Sequence, residues 1–197
     1  MTTAVDKVDK ISIHPNALVC QDADLRGSIT ISSGTVIHPK CTILAVPGAI
    51  VIGENCIIEE SAIIVNRRKE PMLIGDENVF EVGSRVEAAS VGSRNTFSVK
   101  SRVISSIEIP NDCSIGPACI LTPSYTSPQR EDFRERLQDY TVVYGQNPDR
   151  RIGDAVGKIH QRALLAKHLE YLRNVGKICY SRIFKLIAKH IGITKVY

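Results

Sequence analysis

The amino-acid sequence predicts an all-β solenoid, a parallel β-helix of about six to seven triangular coils followed by a C-terminal α-helix, on three observations. Aliphatic residues recur every six positions through most of the chain. A small residue usually follows each of them by four, and from Asp154 onward the apolar spacing changes to three and four. A period of six matches neither the 3.6-residue turn of a helix nor the two-residue alternation of an ordinary strand, whereas the later spacing is that of a helix.

Residues 1–12 read as an N-terminal tail and residues 13–152 as the repeat array. Its aliphatics are Ile13, Val19, Leu25, Ile31, Ile37 and Ile43, then Ile52, Ile58 and Ile64, then Ile74, Phe80 and Val86, and finally Val91, Phe97, Val103, Ile109, Ile115 and Leu121. Ala17, Ala23, Thr35, Cys41, Cys56, Ala62, Ser84, Ser90, Ser101, Cys113 and Cys119 are the small residues, while Ile29 and Ile107 break that rule inside regular hexads. Each hexad makes a short strand and a turn, and three close a triangle with the aliphatics inside. Coils stack at about 4.8 Å, so six of them build a prism roughly 29 Å tall. Gly53, Gly75, Gly92 and Gly116, with Asn55, Asn78 and Asn95, are expected at turns because they tolerate strained or left-handed backbone.

Sorting the hexads by threes gives the faces. Face one carries Ile13, Ile31, Ile52, Ile74, Val91 and Ile109, face two carries Val19, Ile37, Ile58, Phe80, Phe97 and Ile115, and face three carries the rest. Loop insertions near 44–50, 66–72 and 122–140, and a one-residue deletion after Val86, all follow face three. One edge of the prism therefore carries the loops, either as a contact surface or because that edge tolerated the first insertion. Residues 123–140 read as a projecting loop with one short helical turn, and "TVVYGQNPDRRIG" as an incomplete final coil that closes the array.

The segment 153–197 reads as a basic amphipathic helix with Asp154 as N-cap, an apolar stripe of Val156, Ile159, Ala163, Ala166, Leu169, Leu172 and Val175 or Gly176, then Cys179, Ile183 and Ile187, and a break near Gly176. Charge is uneven: residues 1–153 hold 16 Lys and Arg against 19 Asp and Glu, residues 154–197 hold 9 against 2. The favoured arrangement packs this helix along the acidic prism with its basic face in water; a membrane surface or an acidic partner are the other readings. Nucleic acid is disfavoured because the basic stretch has few stacking aromatics and no recognised motif.

With 43% hydrophobic residues over 197 positions, the chain can bury a sizeable core. No window approaches the roughly 20 apolar residues of a membrane span, and the N-terminal residues contain no apolar run of signal length, so a cytoplasmic or nuclear protein is expected. Six irregularly spaced cysteines without a CxxC pair read as reduced thiols packed at corners. The pairs Cys41/Cys119 and Cys56/Cys113 lie too many coils apart to bridge.

The hexad pattern resembles the left-handed parallel β-helix family, which implies the hand of the coil; the period alone does not. In acyltransferases of that family a histidine serves as general base, and in the similar γ-class carbonic anhydrases three histidines bind zinc. Here His14 and His38 fall on different faces, and His160, His168 and His190 fall on the helix. No converging ligand set is visible. One stacked column, Cys20, His38, Glu59, Glu81 and Ser98, would place Glu59 beside His38, either as a tuned acid–base pair or as a polar ladder at a solvated turn. Catalytic, cofactor-binding and metal-ligating residues are accordingly assigned to none.

"LRGSITI" at 25–31, "TVIHPK" at 35–40, "IVIGENCIIEE" at 50–60, "MLIGDENVFEVGS" at 72–84 and "TVVYG" at 141–145 together resemble the hexapeptide-repeat subunits of the dynactin pointed-end complex over about residues 11–152. That resemblance implies a non-enzymatic subunit pairing with dynactin subunit 5 and an Arp11-type actin-related protein, among other dynactin subunits. It also implies no small-molecule substrate, a cytoskeletal location that extends to the kinetochore, and at most indirect contact with membranes. The alternative is a hexapeptide-repeat acyltransferase or a γ-carbonic-anhydrase-like enzyme. The excursion 123–140 and the basic helix depart from the resemblance.

Overall fold

The computed structural model describes residues 9–124, 133–145 and 147–190, and within the helix the side chains of 155–174 apart from 157 and 160. The chain winds into a left-handed parallel β-helix of about six coils with a single C-terminal helix. All eighteen aliphatics stack in the expected columns. Ile13, Ile31, Ile52, Ile74, Val91 and Ile109 pair coil to coil on face one. Val19, Ile37, Ile58, Phe80, Phe97 and Ile115 do so on face two and continue to Val143. Leu25, Ile43, Ile64, Val86, Val103 and Leu121 form face three. Inside the prism, Phe80 and Phe97 stack with ring centroids 4.8 Å apart, a geometry aromatic rings favour when offset.

Two corners are built alike from the second coil onward. Between faces one and two the backbone turns through Gly34, Asn55, Glu77, Arg94, Asp112 and Tyr140, and between faces two and three through Lys40, Ser61, Gly83, Lys100 and Ala118, all with φ between 55° and 71°. Most of these residues carry side chains, so the left-handed conformation is held by the stacked coils above and below rather than by glycine. The residue after each left-handed position is the buried small one, and at the first corner these form a polar ladder. Asn78 Nδ2 donates to the carbonyls of Gly75 and Gly92 while its Oδ1 accepts from Asn95 N; Asn95 Nδ2 donates to Pro110 O and its Oδ1 accepts from Cys113 N.

This corrects two expectations about turn residues. Of the three asparagines only Asn55 is left-handed; Asn78 and Asn95 are buried ladder members. Gly53, Gly75, Gly92 and Gly116 do not have positive φ either. They are small because the next coil comes too close: a Cβ on Gly92 would lie 2.5 Å from Pro110 O, and one on Gly116 2.7 Å from Val143 O.

The third corner is irregular, and every insertion leaves from it. The expected loop near 44–50 is instead continuous strand, Thr42–Ile52, in which residues 46–49 bulge opposite Ser28 between the pairs Gly27–Ala45 and Ile29–Ile50. A bulge absorbs extra residues without breaking the ladder on either side. The 66–71 loop is organised by buried Asn66, whose Nδ2 donates to Ala49 O and Glu70 O while its Oδ1 accepts from Arg68 N. Of the 123–140 excursion, Glu135–Arg136 pairs in parallel with Ile107–Ile109. The short helical turn expected in 123–140 is not found among its described residues, 123–124 and 133–140, and residues 125–132 lie outside the described ones.

The ends follow expectation in part. The first strand begins at Lys10 and pairs with the coil above, so the tail is shorter than residues 1–12. At the other end Thr141–Tyr144 adds one more parallel strand to face two, the expected incomplete coil, and Asp149–Ile152 then turns back antiparallel along it. A hairpin closes the exposed strand edge that another parallel turn would leave open.

Helix α1, Ala155–His190, runs unbroken through Gly176, with Asp154 Oδ1 accepting from Val156 N at its start. It lies along face two, with the expected stripe inward at Leu169 and Leu172 but not at its earlier positions. Leu165, Leu169 and Leu172 pack with Leu18, Val36, Ile57 and Val79, and Lys158, Gln161, Arg162 and Arg173 also face the prism, whereas Val156, Ile159, Ala163 and Ala166 are exposed. The outer surface of face two is the reason: it is apolar at its lower end and polar at Thr96 and Ser114 above, so the helix meets it with leucines below and donors above. Among the described residues no helix is long and apolar enough to cross a membrane.

Candidate functional site

The most elaborated part of the surface is the groove where α1 lies against the corner between faces one and two. Left-handed turns aim the side chains of Asn55, Glu77, Arg94 and Asp112 outward in a vertical row, and the helix sends cations to them. Arg162 Nη2 binds Asp112, which also holds Arg94 one coil below at 2.9 Å. Arg173 Nη2 donates to Asn55 Oδ1 at 2.5 Å and to Gly34 O at 3.3 Å. Lys158 Nζ donates to Ser114 Oγ at 2.6 Å, and Gln161 Nε2 to Thr96 Oγ1 at 2.7 Å. Between these anchors runs an open groove of about 650 Å³, lined by Asn55, Glu77, Arg94, Leu165, Leu169 and Arg173 among others.

Electrostatics tie the helix down. Burial pushes the Asp112 carboxyl up, but the bonds from Arg94 and Arg162 outweigh it and hold the group below the usual carboxylate range. Burial pulls the Lys158 ammonium down, opposed by the charge of Asp112. A carboxylate only 2% exposed and held by two guanidiniums is a structural anchor, since neither its charge nor its lone pairs are free for a substrate.

The residues considered for catalysis do not converge. His14 Nδ1 accepts from Asn16 N at the first corner, whereas His38 stands at the second. Burial lowers the His38 pKa against the opposing charge of Glu59. The hydrogen-bonded pair His38–Glu59 is not formed: Glu59 Oε2 accepts from Val82 N and His38 Nε2 has no partner among the described residues. Glu81 Oε2 likewise accepts from Val99 N. The column is a ladder in which each carboxylate caps a turn N–H on the next coil. His168 is exposed on α1, and the side chains of His160 and His190 lie outside the described residues. Among the described residues no group of three or more His, Cys, Asp or Glu side chains is placed to hold a metal.

Cys20, Cys41, Cys56, Cys113 and Cys119 are buried. Burial pushes Cys41 and Cys56 up to about 12 and Cys113 up to about 11. Their sulfurs donate to turn carbonyls of the next coil, as in Cys41 to Glu59 O at 2.9 Å and Cys56 to Gly75 O at 3.2 Å. Thiols so placed pack corners and are poor nucleophiles at neutral pH.

No protein-family model matches the chain. It is 36% identical over 154 residues to dynactin subunit 6 of Danio rerio, covering 72% of this chain and 74% of that one. It is 37% identical over 163 residues to dynactin subunit 6 of Nematostella vectensis, covering 77% and 83%. Among solved structures, a hexapeptide transferase family protein from Anaplasma phagocytophilum superposes with a TM-score of 0.68 at 14% identity, over 85% of this chain and 91% of that one. A putative acetyltransferase from Bacillus cereus follows with 0.53 at 11% identity, over 86% and 94%. At such identities the structural likeness speaks to the coil and not to its chemistry.

Proposed function

The chain belongs to the dynactin subunit 6 family, and from that premise we propose that it is a non-enzymatic structural subunit of the dynactin pointed-end complex. In this role it pairs with the related β-helical subunit 5 and with the actin-related protein at the filament end, supporting dynein-driven transport on microtubules from the cytoplasm and cytoskeleton. The observation that carries the reading is sequence identity above 35% to named subunits over most of the array. The geometry supports it: the most elaborated polar groups, Asp112 with Arg94, Arg162 and Lys158, are spent on fixing the helix. An acyltransferase would need instead a free imidazole facing an acceptor pocket. The test is reconstitution of the purified chain with subunit 5 and the actin-related protein. A stable complex recovered by size-exclusion chromatography is expected; separate elution at micromolar concentrations would overturn the proposal.

A further inference from the structure

We infer that the N-terminal end of the prism is a docking surface for the open end of a second, different parallel β-solenoid. The inference rests on the pairing reading above and deepens it by naming the surface. Three observations converge on this end.

Ile13 belongs to the inward column of face one, yet it is 44% exposed, whereas Ile31, Ile52 and Ile74 above it are at most 3% exposed. Val19 and Leu25, the first members of the other two columns, are only partly buried, and Ile11 beside them is exposed. The aliphatic interior of the solenoid therefore opens at this end.

The backbone opens there as well. Among the described residues, Lys10–Ile13, Leu18–Val19 and the Asp24–Arg26 part of the next strand pair only with the coil above, whereas the Gly27 amide already donates to Asp9 Oδ1. In a parallel ladder alternate residues direct their N–H and C=O groups to opposite sides, so each of these segments presents a row of groups away from the array. The three rows lie at one level and frame the exposed aliphatics as a triangle.

This geometry selects its occupant. A single added strand would meet one row of three, and a helix would meet none. The end of another triangular coil meets all three at the usual interstrand spacing of about 4.8 Å and covers Ile13, Val19 and Leu25 together. A second copy of this chain cannot continue the coil in parallel, because its far end is closed on face two by the antiparallel Asp149–Ile152. The partner is thus a solenoid of different sequence with an open end.

The test compares wild type, Ile13→Lys and a control, Ile159→Lys on the outward face of α1, for binding to the purified subunit 5 by isothermal titration. Each variant is first checked by its melting curve. Wild type and control are expected to bind alike, and Ile13→Lys to weaken binding by at least about tenfold. Hydrogen exchange on the wild-type complex gives a second readout that needs no variant: amides of residues 10–13 and 18–19 should gain protection on binding. Equal affinity of Ile13→Lys, or no gain in protection, would overturn the assignment while leaving the pairing intact. Failure of wild type to bind at all would overturn the pairing itself. Self-association of wild type that Ile13→Lys abolishes would make this end a contact between copies and overturn the choice of partner.

Discussion

Replacing Asn95 by alanine removes the middle of the buried corner ladder. Asn95 is 1% exposed; its Oδ1 accepts from Cys113 N at 2.7 Å and its Nδ2 donates to Pro110 O at 2.8 Å. Alanine leaves one buried N–H and one buried carbonyl without these partners. An orphaned buried group costs about 1–3 kcal/mol, so Asn95→Ala is expected to lose about 2–6 kcal/mol. That is a large share of the stability of a domain held by about 5–15 kcal/mol. Asn111→Ala is the control. It also removes a bond across coils, Asn111 Oδ1 accepting from Ser93 N at 2.8 Å, but at a part-buried site where water can substitute, and about 1 kcal/mol is expected. Urea unfolding at fixed temperature reads both as shifts in midpoint at unchanged slope. An Asn95→Ala loss no larger than that of Asn111→Ala would refute the claim that the corner ladder holds the coils.

Asp112→Asn should lower the melting temperature at pH 7 and remove a pH dependence. The folded carboxyl is held below its unfolded value, so its contribution is present above the unfolded carboxylate range and is lost as pH falls through the folded pKa. Melting curves between pH 3 and 7 should fall less steeply for the variant than for wild type. Leu169→Ala should destabilise by about 2 kcal/mol in urea, because Leu169 is buried against Val36 and Ile57; Val156→Ala on the outward face should be near neutral. Removing residues 154–197 should likewise lower the melting temperature, and an unchanged curve would make the helix a docking arm. At pH 8 a thiol reagent should leave Cys41, Cys56 and Cys113 unlabelled in the native protein and label them in urea, as read by peptide mass spectrometry, since burial holds all three thiols at about 11 or above.

The columns of the prism were legible because each inward position must be aliphatic and must recur with the coil. Ile13 to Ile109, Val19 to Ile115 and Leu25 to Leu121 needed only counting. Corner chemistry was harder to read, since Asn78 and Asn95 at a turn suggest left-handed backbone when their actual work is to bond the neighbouring coil. Left-handed positions are held by Glu77, Arg94, Lys100 and Ala118, types with no strong preference for that conformation, because stacking imposes it. The inward stripe of the helix is legible at Leu169 and Leu172 but not nearer its start, for a related reason. An apolar stripe through Val156, Ile159 and Ala163 assumes an apolar docking surface, yet the upper part of face two presents Thr96 and Ser114, and Lys158 and Gln161 answer them. The His38–Glu59 column was visible as stacking, but sequence could not show that Glu59 turns to the Val82 amide.

The most direct measurement is purification of the chain, tagged at its own locus, from its native source, with the co-purifying proteins identified by mass spectrometry and the assembly sized. Membership in the dynactin subunit 6 family predicts elution with a large complex containing actin-related protein and a second β-helical subunit. A free homotrimer carrying zinc or transferring acetyl groups, with no dynactin component present, would contradict it.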